Sequence, residues 1–222
     1  MTNPSDGNPH RSNMNIGIIG AGNVGGALGT RWARGGHQVT FGVRDPKGAD
    51  VQALIQKAGS GKAATLAEAA KAGDVLLLST PWPATQEVVK SLGNLSGKLL
   101  IDATNPVKPD LSGLELGTNT SAGEQVAKWA TGAHVVKAFN TVGSNVMERS
   151  DFGAAKAVMF YCGDDAGAKK TVHGLVEELG FDGHDAGPLT QARLLEPFAL
   201  LWISLAFAQK YGRDIAFQFL RR

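Results

Sequence analysis

Apolar and polar positions along this chain fall into two alternating regimes. Short, mostly apolar runs stand at 15–20, 38–41, 75–79, 98–102, 134–138, 157–162 and 181–184. Helix-like stretches separate them at 24–34, 50–58, 66–72, 83–92, 121–131 and 164–179. Brief apolar runs suit strands buried on both faces. Their alternation with helices predicts a parallel sheet with helices on its faces. Residues 62–64 are a candidate short edge strand. Gly35, Gly59, Gly73 and Gly132 stand where helices should stop, and Pro83 sits near the first turn of its helix, where its missing N–H costs nothing. Asp164 and Asp165 read as helix caps. After 187 the pattern changes. Leu194, Leu195, Phe198, Leu201, Trp202, Leu205 and Phe207 form a stripe too broad for one face of a helix. That stretch should cover the sheet, a substrate cleft or a second subunit.

The first strand-to-helix junction carries candidate chemistry. It reads Gly20-Ala21-Gly22-Asn23-Val24-Gly25, a Gly-x-Gly-x-x-Gly turn between a strand and a helix. Gly20 permits the tight turn, Gly22 lets a diphosphate approach the backbone, and Gly25 lets the helix pack on the sheet. The helix start offers unpaired N–H groups to phosphate. Gly20, Gly22, Asn23, Val24 and Gly25 are therefore candidate cofactor-binding residues. The fold class this implies is α/β, a Rossmann-type doubly wound and mostly parallel sheet with a small helical C-terminal extension. Residues 14–187 form the nucleotide-binding domain, 188–222 the extension packed on it, and 1–13 a flexible tail.

The second strand ends Phe41-Gly42-Val43-Arg44-Asp45-Pro46-Lys47. NAD binders place a carboxylate there for the ribose, and NADP binders an Arg for the 2′-phosphate. Arg44, with Lys47 as a second charge, favours NADP(H). The alternative is that Asp45 takes the ribose.

Ligands of such sheets lie beyond the carboxyl ends of the strands. Three segments should point there. Ser79, Thr80, Pro81 and Trp82 follow one strand, Ala103, Thr104 and Asn105 another, and Asn140 and Thr141 a third. Thr80, Pro81, Asn105 and Asn140 are the candidates for positioning the reacting groups. Capping and loop chemistry are the competing explanation for all three segments. Trp82 suits either a stacking wall or the core. Lys137 reads foremost as a strand residue. The connection 106–120 is long enough to be functional.

Composition narrows the function classes. The length, 222 residues, allows one to two domains. A net charge of +2 without a block of like charges gives no sign of nucleic acid or membrane partners. Cys162 is the single cysteine, so no internal disulfide forms. It reads as a small buried hydrophobe, compatible with a cytoplasmic protein. No apolar run is long enough to span a membrane. No Tyr-x-x-x-Lys proton relay and no Gly-x-Ser-x-Gly occurs, and the five His show no metal-ligand spacing. His37 reads as structural. His134 is a remote candidate for polarising a carbonyl.

Taken together, the glycine turn, Gly42-x-Arg44-Asp45, Ser79-Thr80-Pro81-Trp82, Asp102-Ala103-Thr104-Asn105-Pro106, Lys137-Ala138-Phe139-Asn140-Thr141 and Gly187-Pro188-Leu189 resemble a known pattern. It is that of the coenzyme F420-dependent NADP reductases and the NADPH-binding domains of the related metalloreductases. The resemblance covers about residues 15 to 210. It implies NADP(H) and a second redox ring, a deazaflavin (coenzyme F420) or a flavin, stacked near the nicotinamide. Trp82, Gly187, Pro188 and Leu189 are the candidates for that second site. Val43 stands where the archaeal reductases carry Ser, which removes one hydrogen bond to the 2′-phosphate. Hydride transfer between two rings makes no alkoxide, so it needs near-attack positioning rather than a general acid. Two other readings remain: reduction of a small imine or carbonyl, and an NADP(H)-binding sensor without turnover. A homodimer through the C-terminal stripe is expected, with a small redox cofactor as the partner molecule.

Overall fold

The computed structural model describes residues 13–222; most of the tail expected at 1–13 lies outside the described residues. The elements run β1 (Asn15–Ile19), α1 (Asn23–Arg34), β2 (Gln38–Gly42), α2 (Ala49–Ala58), β3 (Lys62–Ala64), α3 (Leu66–Ala72), β4 (Val75–Leu78) and α4 (Trp82–Ser91). There follow β5 (Leu99–Asp102), α5 (Ala122–Trp129), β6 (His134–Lys137), α6 (Ser144–Glu148), β7 (Asp151–Phe152), β8 (Ala155–Lys156) and β9 (Val158–Gly163). The chain ends with α7 (Ala166–Glu178), β10 (Asp182–Asp185), a 3-10 turn (Leu189–Gln191), α8 (Ala192–Ile203) and a π turn (Ser204–Ala208).

Eight strands form one sheet in the order β10-β9-β6-β5-β4-β1-β2-β3. β1 lies between β2 and β4, with Ile18 opposite Phe41 on one side and Leu77 on the other. The chain reverses its winding direction there, which opens a crevice beyond the carboxyl ends of β1 and β4. Every pair in this sheet is parallel except β6 with β9. The β7–β8 hairpin stands between β6 and β9 in the chain and β9 returns antiparallel. The fold is thus the doubly wound, mostly parallel α/β sheet expected.

Strand side chains alternate between two cores. Ile16, Ile18, Leu77 and Ile101 face the layer of α1 and α7. Ile19, Leu76, Leu78 and Leu100 face the layer of α3, α4, α5 and α8. Local signals set the helix starts. Thr65 and Glu68 form a reciprocal capping box on α3. Ser121 caps α5 and Asp165 caps α7. Asp164, expected as a second cap, instead accepts from Leu189 N (2.9 Å).

The C-terminal stripe splits. Leu195 and Trp202 are buried, whereas Leu194 (66% exposed), Leu201 and Phe207 face outward. The helical part of the extension ends at Ala208, and the following segment is tied back onto the domain: Trp202 Nε1 donates to Ile215 O (2.8 Å) and Val158 N to Phe217 O (2.8 Å).

Candidate active site

The glycine turn closes as its residues require. Gly20 has φ of 97°, a left-handed value that side chains resist. Ser79 Oγ donates to Gly20 O (2.7 Å), tying the end of β4 to the turn. A Cβ on Gly25 would run into Gly20 O and Ser79 Oγ, so this glycine serves packing. Gly22 differs, because nothing lies within 4 Å of where its Cβ would stand. No side chain caps α1 and no acid sits in its first turn. Open space, free N–H groups and an uncompensated positive helix end together fit an anion such as a diphosphate.

A cleft of about 800 Å³ adjoins this turn. Gly22 and Asn23 line it together with Val43 and Asp45 from the end of β2. Arg44 and Lys47 are exposed on the same β2–α2 connection. Asp45 Oδ1 accepts from Lys47 N (3.0 Å), so one of its oxygens shapes its own turn.

At the other strand ends the structure assembles short polar groups. Thr80 and Thr85 share a hydroxyl hydrogen bond (3.0 Å), and Thr85 Oγ1 also donates to Pro81 O (3.1 Å). Asn105 Nδ2 donates to Asn140 O (2.9 Å), and Asn140 Nδ2 donates to Asn105 Oδ1 (3.1 Å) and Leu195 O (3.2 Å). Asn140 Oδ1 is buried without a partner. An unfilled buried acceptor is costly. Beside it Phe139 is held at φ of 59°, a left-handed backbone in a fully buried aromatic residue. The loops after β5 and β6 are therefore locked together by a reciprocal amide pair.

Beneath that pair lies a buried charge cluster, with Lys137 fully enclosed. Its Nζ contacts Asp102 Oδ2 (2.9 Å), Glu196 Oε1 (2.9 Å) and Thr104 O (2.6 Å). Glu196 also accepts from Ala122 N (2.9 Å) and Gly123 N (3.0 Å) at the start of α5. Asp102 Oδ1 accepts from Thr104 N (2.9 Å) and Oγ1 (2.7 Å). Burial alone pushes the lysine's pKa down, but the two carboxylates outweigh it and hold it above the usual range. Lys137 is thus a cation committed to structure. Glu196 escaped the sequence reading, although one acid amid an apolar helix stripe (Leu194-Leu195-Glu196-Pro197-Phe198) was a legible signal.

The remaining candidates divide by exposure. Ala103, Thr104 and Thr141 are buried, and Thr141 Oγ1 points at Met159 Sδ (3.9 Å). Trp82 stacks on Trp129, with centroids 5.5 Å apart. Gly187, Pro188 and Leu189, expected at the second ring, follow β10, which with β9 runs opposite to β6. They leave the sheet beside Asp164, away from the carboxyl ends that form the cleft, with Pro188 exposed and Leu189 buried in the core layer of α4 and α5. His37 is structural as expected: Met14 N donates to Nδ1 (3.1 Å), and Nε2 lies 2.9 Å from Glu178 Oε2. His134 opens β6, at the sheet end opposite the cleft, which removes it as a carbonyl polariser. Burial pushes the Cys162 thiol up to about 12, so it packs and does not react. Among the described residues no cluster of His, Cys, Asp and Glu suits a metal ion.

The family described as NADP oxidoreductase, coenzyme F420-dependent, matches residues 15–106, from β1 through the loop after β5. Over this segment, which is under half of the chain, the protein is similar to that family. Two characterised proteins are similar. Metalloreductase STEAP3 of Rattus norvegicus is 28% identical over 191 residues, 83% of this chain and 36% of that protein. The F420-dependent NADP reductase of Methanocaldococcus jannaschii is 31% identical over 149 residues, 64% of this chain and 66% of that protein. The chain therefore spans about a third of the rat protein and just under two thirds of the archaeal one. A crystal structure of a candidate F420-dependent NADP reductase from Arthrobacter sp. FB24 superposes with a TM-score of 0.84 at 29% identity, covering 94% of this chain and all of that one. That likeness extends beyond the matched segment to the C-terminal helices.

Proposed function

We propose that this protein is an NADP(H)-dependent oxidoreductase that passes hydride between the nicotinamide and a second redox ring, a deazaflavin or a flavin. One observation carries the reading. The side chains offered at the strand ends are hydroxyls and amides, and the charged groups beneath them are paired and buried. Such a site can position rings but presents no convergent acid, and a carbonyl or imine substrate needs one. When bound, NADP(H) supplies or accepts a hydride at C4 of its nicotinamide.

In this reading Gly20, Gly22, Asn23, Val24 and Gly25 hold the diphosphate, and Arg44 with Lys47 takes the 2′-phosphate. Ser79, Thr80, Pro81, Ala103, Thr104, Asn105, Asn140 and Thr141 shape the nicotinamide end. The unpartnered Asn140 Oδ1 suits the amide hydrogens of a carboxamide. Trp82 borders the second ring. The protein acts in the cytoplasm as a homodimer. The test is NADPH oxidation followed in parallel with a deazaflavin, FMN, FAD, a ferric chelate and a cyclic imine. Turnover with the ring acceptors is expected; turnover with the imine alone contradicts the reading.

A further inference from the structure

The cleft beside the glycine turn has an acidic rim. Asp45, Asp50 and Glu148 line it, and among its described lining residues Arg213 is the one cation. Glu148 is already paired with Lys57 (2.8 Å), so Asp45 and Asp50 are the acids whose repulsion a diphosphate meets unless a further cation offsets it. Arg213 belongs to the far end of the chain, and its backbone is fixed from both sides. Upstream, Tyr211 N and Gly212 N donate to Leu205 O (3.1 Å) and Ala206 O (3.2 Å). Downstream, Ile215 O and Phe217 O accept from Trp202 and Val158. In the middle, Asn145 Nδ2 donates to Arg213 O (2.9 Å) and Asp214 Oδ1 (2.7 Å). The guanidinium is anchored at one corner, where Nη2 donates to Ser144 Oγ (3.0 Å). Among the described residues nothing else occupies its donors. A charged fork with spare donors therefore lines the same cleft as Gly22 and Asn23.

We propose that Arg213 binds the diphosphate of the dinucleotide: the segment 209–217 straps back over α6 and adds a cation to the anion site at the start of α1. The inference rests on the NADP(H) reading above. Two arginines then read separate parts of one molecule. Arg44 takes the 2′-phosphate and Arg213 the diphosphate, where a planar fork bonds two phosphate oxygens at once.

Calorimetric titration with NADP+, ADP and adenosine 2′-monophosphate separates the roles, because ADP carries only the diphosphate and the monophosphate only the 2′ group. Arg213→Ala should weaken NADP+ and ADP about tenfold or more and leave adenosine 2′-monophosphate nearly unchanged. Arg213→Lys should recover part of the loss, and it carries the test should the alanine variant melt early. Arg44→Ala should do the reverse, sparing ADP. A folded Arg213→Ala variant that binds ADP like the wild type overturns the inference, as does a loss confined to the 2′-monophosphate. Wild-type protein that binds neither NADP+ nor ADP overturns the NADP(H) reading itself.

Discussion

Gly22 and Gly25 stand three residues apart in one turn and have opposite surroundings. A methyl on Gly25 collides with backbone that cannot give way, whereas one on Gly22 meets nothing in the protein. Gly25→Ala should therefore destabilise the fold by about 1–3 kcal/mol, as overpacking does. Gly22→Ala, at a backbone φ of −73° that alanine tolerates, should melt like the wild type. Its NADP+ affinity should nevertheless fall about tenfold, roughly 1.4 kcal/mol. Thermal melts paired with nucleotide titration check both, and equal melting temperatures for the two variants would contradict the assignment. Arg44→Ala should cost NADP+ binding about tenfold or more while leaving NAD+ almost unchanged. Equal losses would instead place Asp45 on the ribose. Lys137 calls for a different measurement. Replacing it by Met strands Asp102 and Glu196 as buried carboxylates, a change that costs about 3–5 kcal/mol. Urea denaturation reads that loss directly; a wild-type midpoint would show the cluster to be dispensable.

At the scale of elements, the decisive joint is between α5 and α8. Glu196 accepts from the first N–H groups of α5, where a helix end favours negative charge. A second bridge runs alongside: Arg193 donates from Nε (2.8 Å) and Nη2 (2.6 Å) to the carboxylate of Glu124. The Arg193 hydrogen bonds hold the Glu124 carboxyl below its ordinary value of 4.5. Stability from this bridge is therefore present above that value and lost as pH falls through the depressed one. Thermal stability should lose this contribution below about pH 4.5 in the wild type, and Glu124→Gln should lack that part of the acid loss. An unchanged acid limb in the variant would contradict the role. The same elements show which features a sequence carries locally and which it does not. Short apolar runs and glycine stops placed the strands and helices because burial on both faces leaves little freedom. The glycine turn was legible because its backbone requirements are local. The antiparallel return of β9 was not, since an apolar run carries no direction. Nor was the Lys137 cluster, since Asp102, Lys137 and Glu196 meet only once β5, β6 and α8 are packed.

For the whole molecule, the apolar surface of the C-terminal region remains open. Leu194 and Leu220 are 66% and 78% exposed, with Leu201, Phe207 and Tyr211 also outward. Apolar groups in such number favour burial against a second copy. Sedimentation at micromolar protein should show a dimer, and Leu201→Lys should shift it to monomer; a wild-type protein that is only monomeric would contradict this. A site of paired charges, amides and hydroxyls should move hydride from ring to ring with no exchange with water. Single turnover of NADPH deuterated at C4 with oxidised deazaflavin measures this directly. Deuterium is expected at C5 of the reduced deazaflavin. No transfer of the label, with the deuterium instead in a reduced imine or carbonyl supplied in competition, would contradict it.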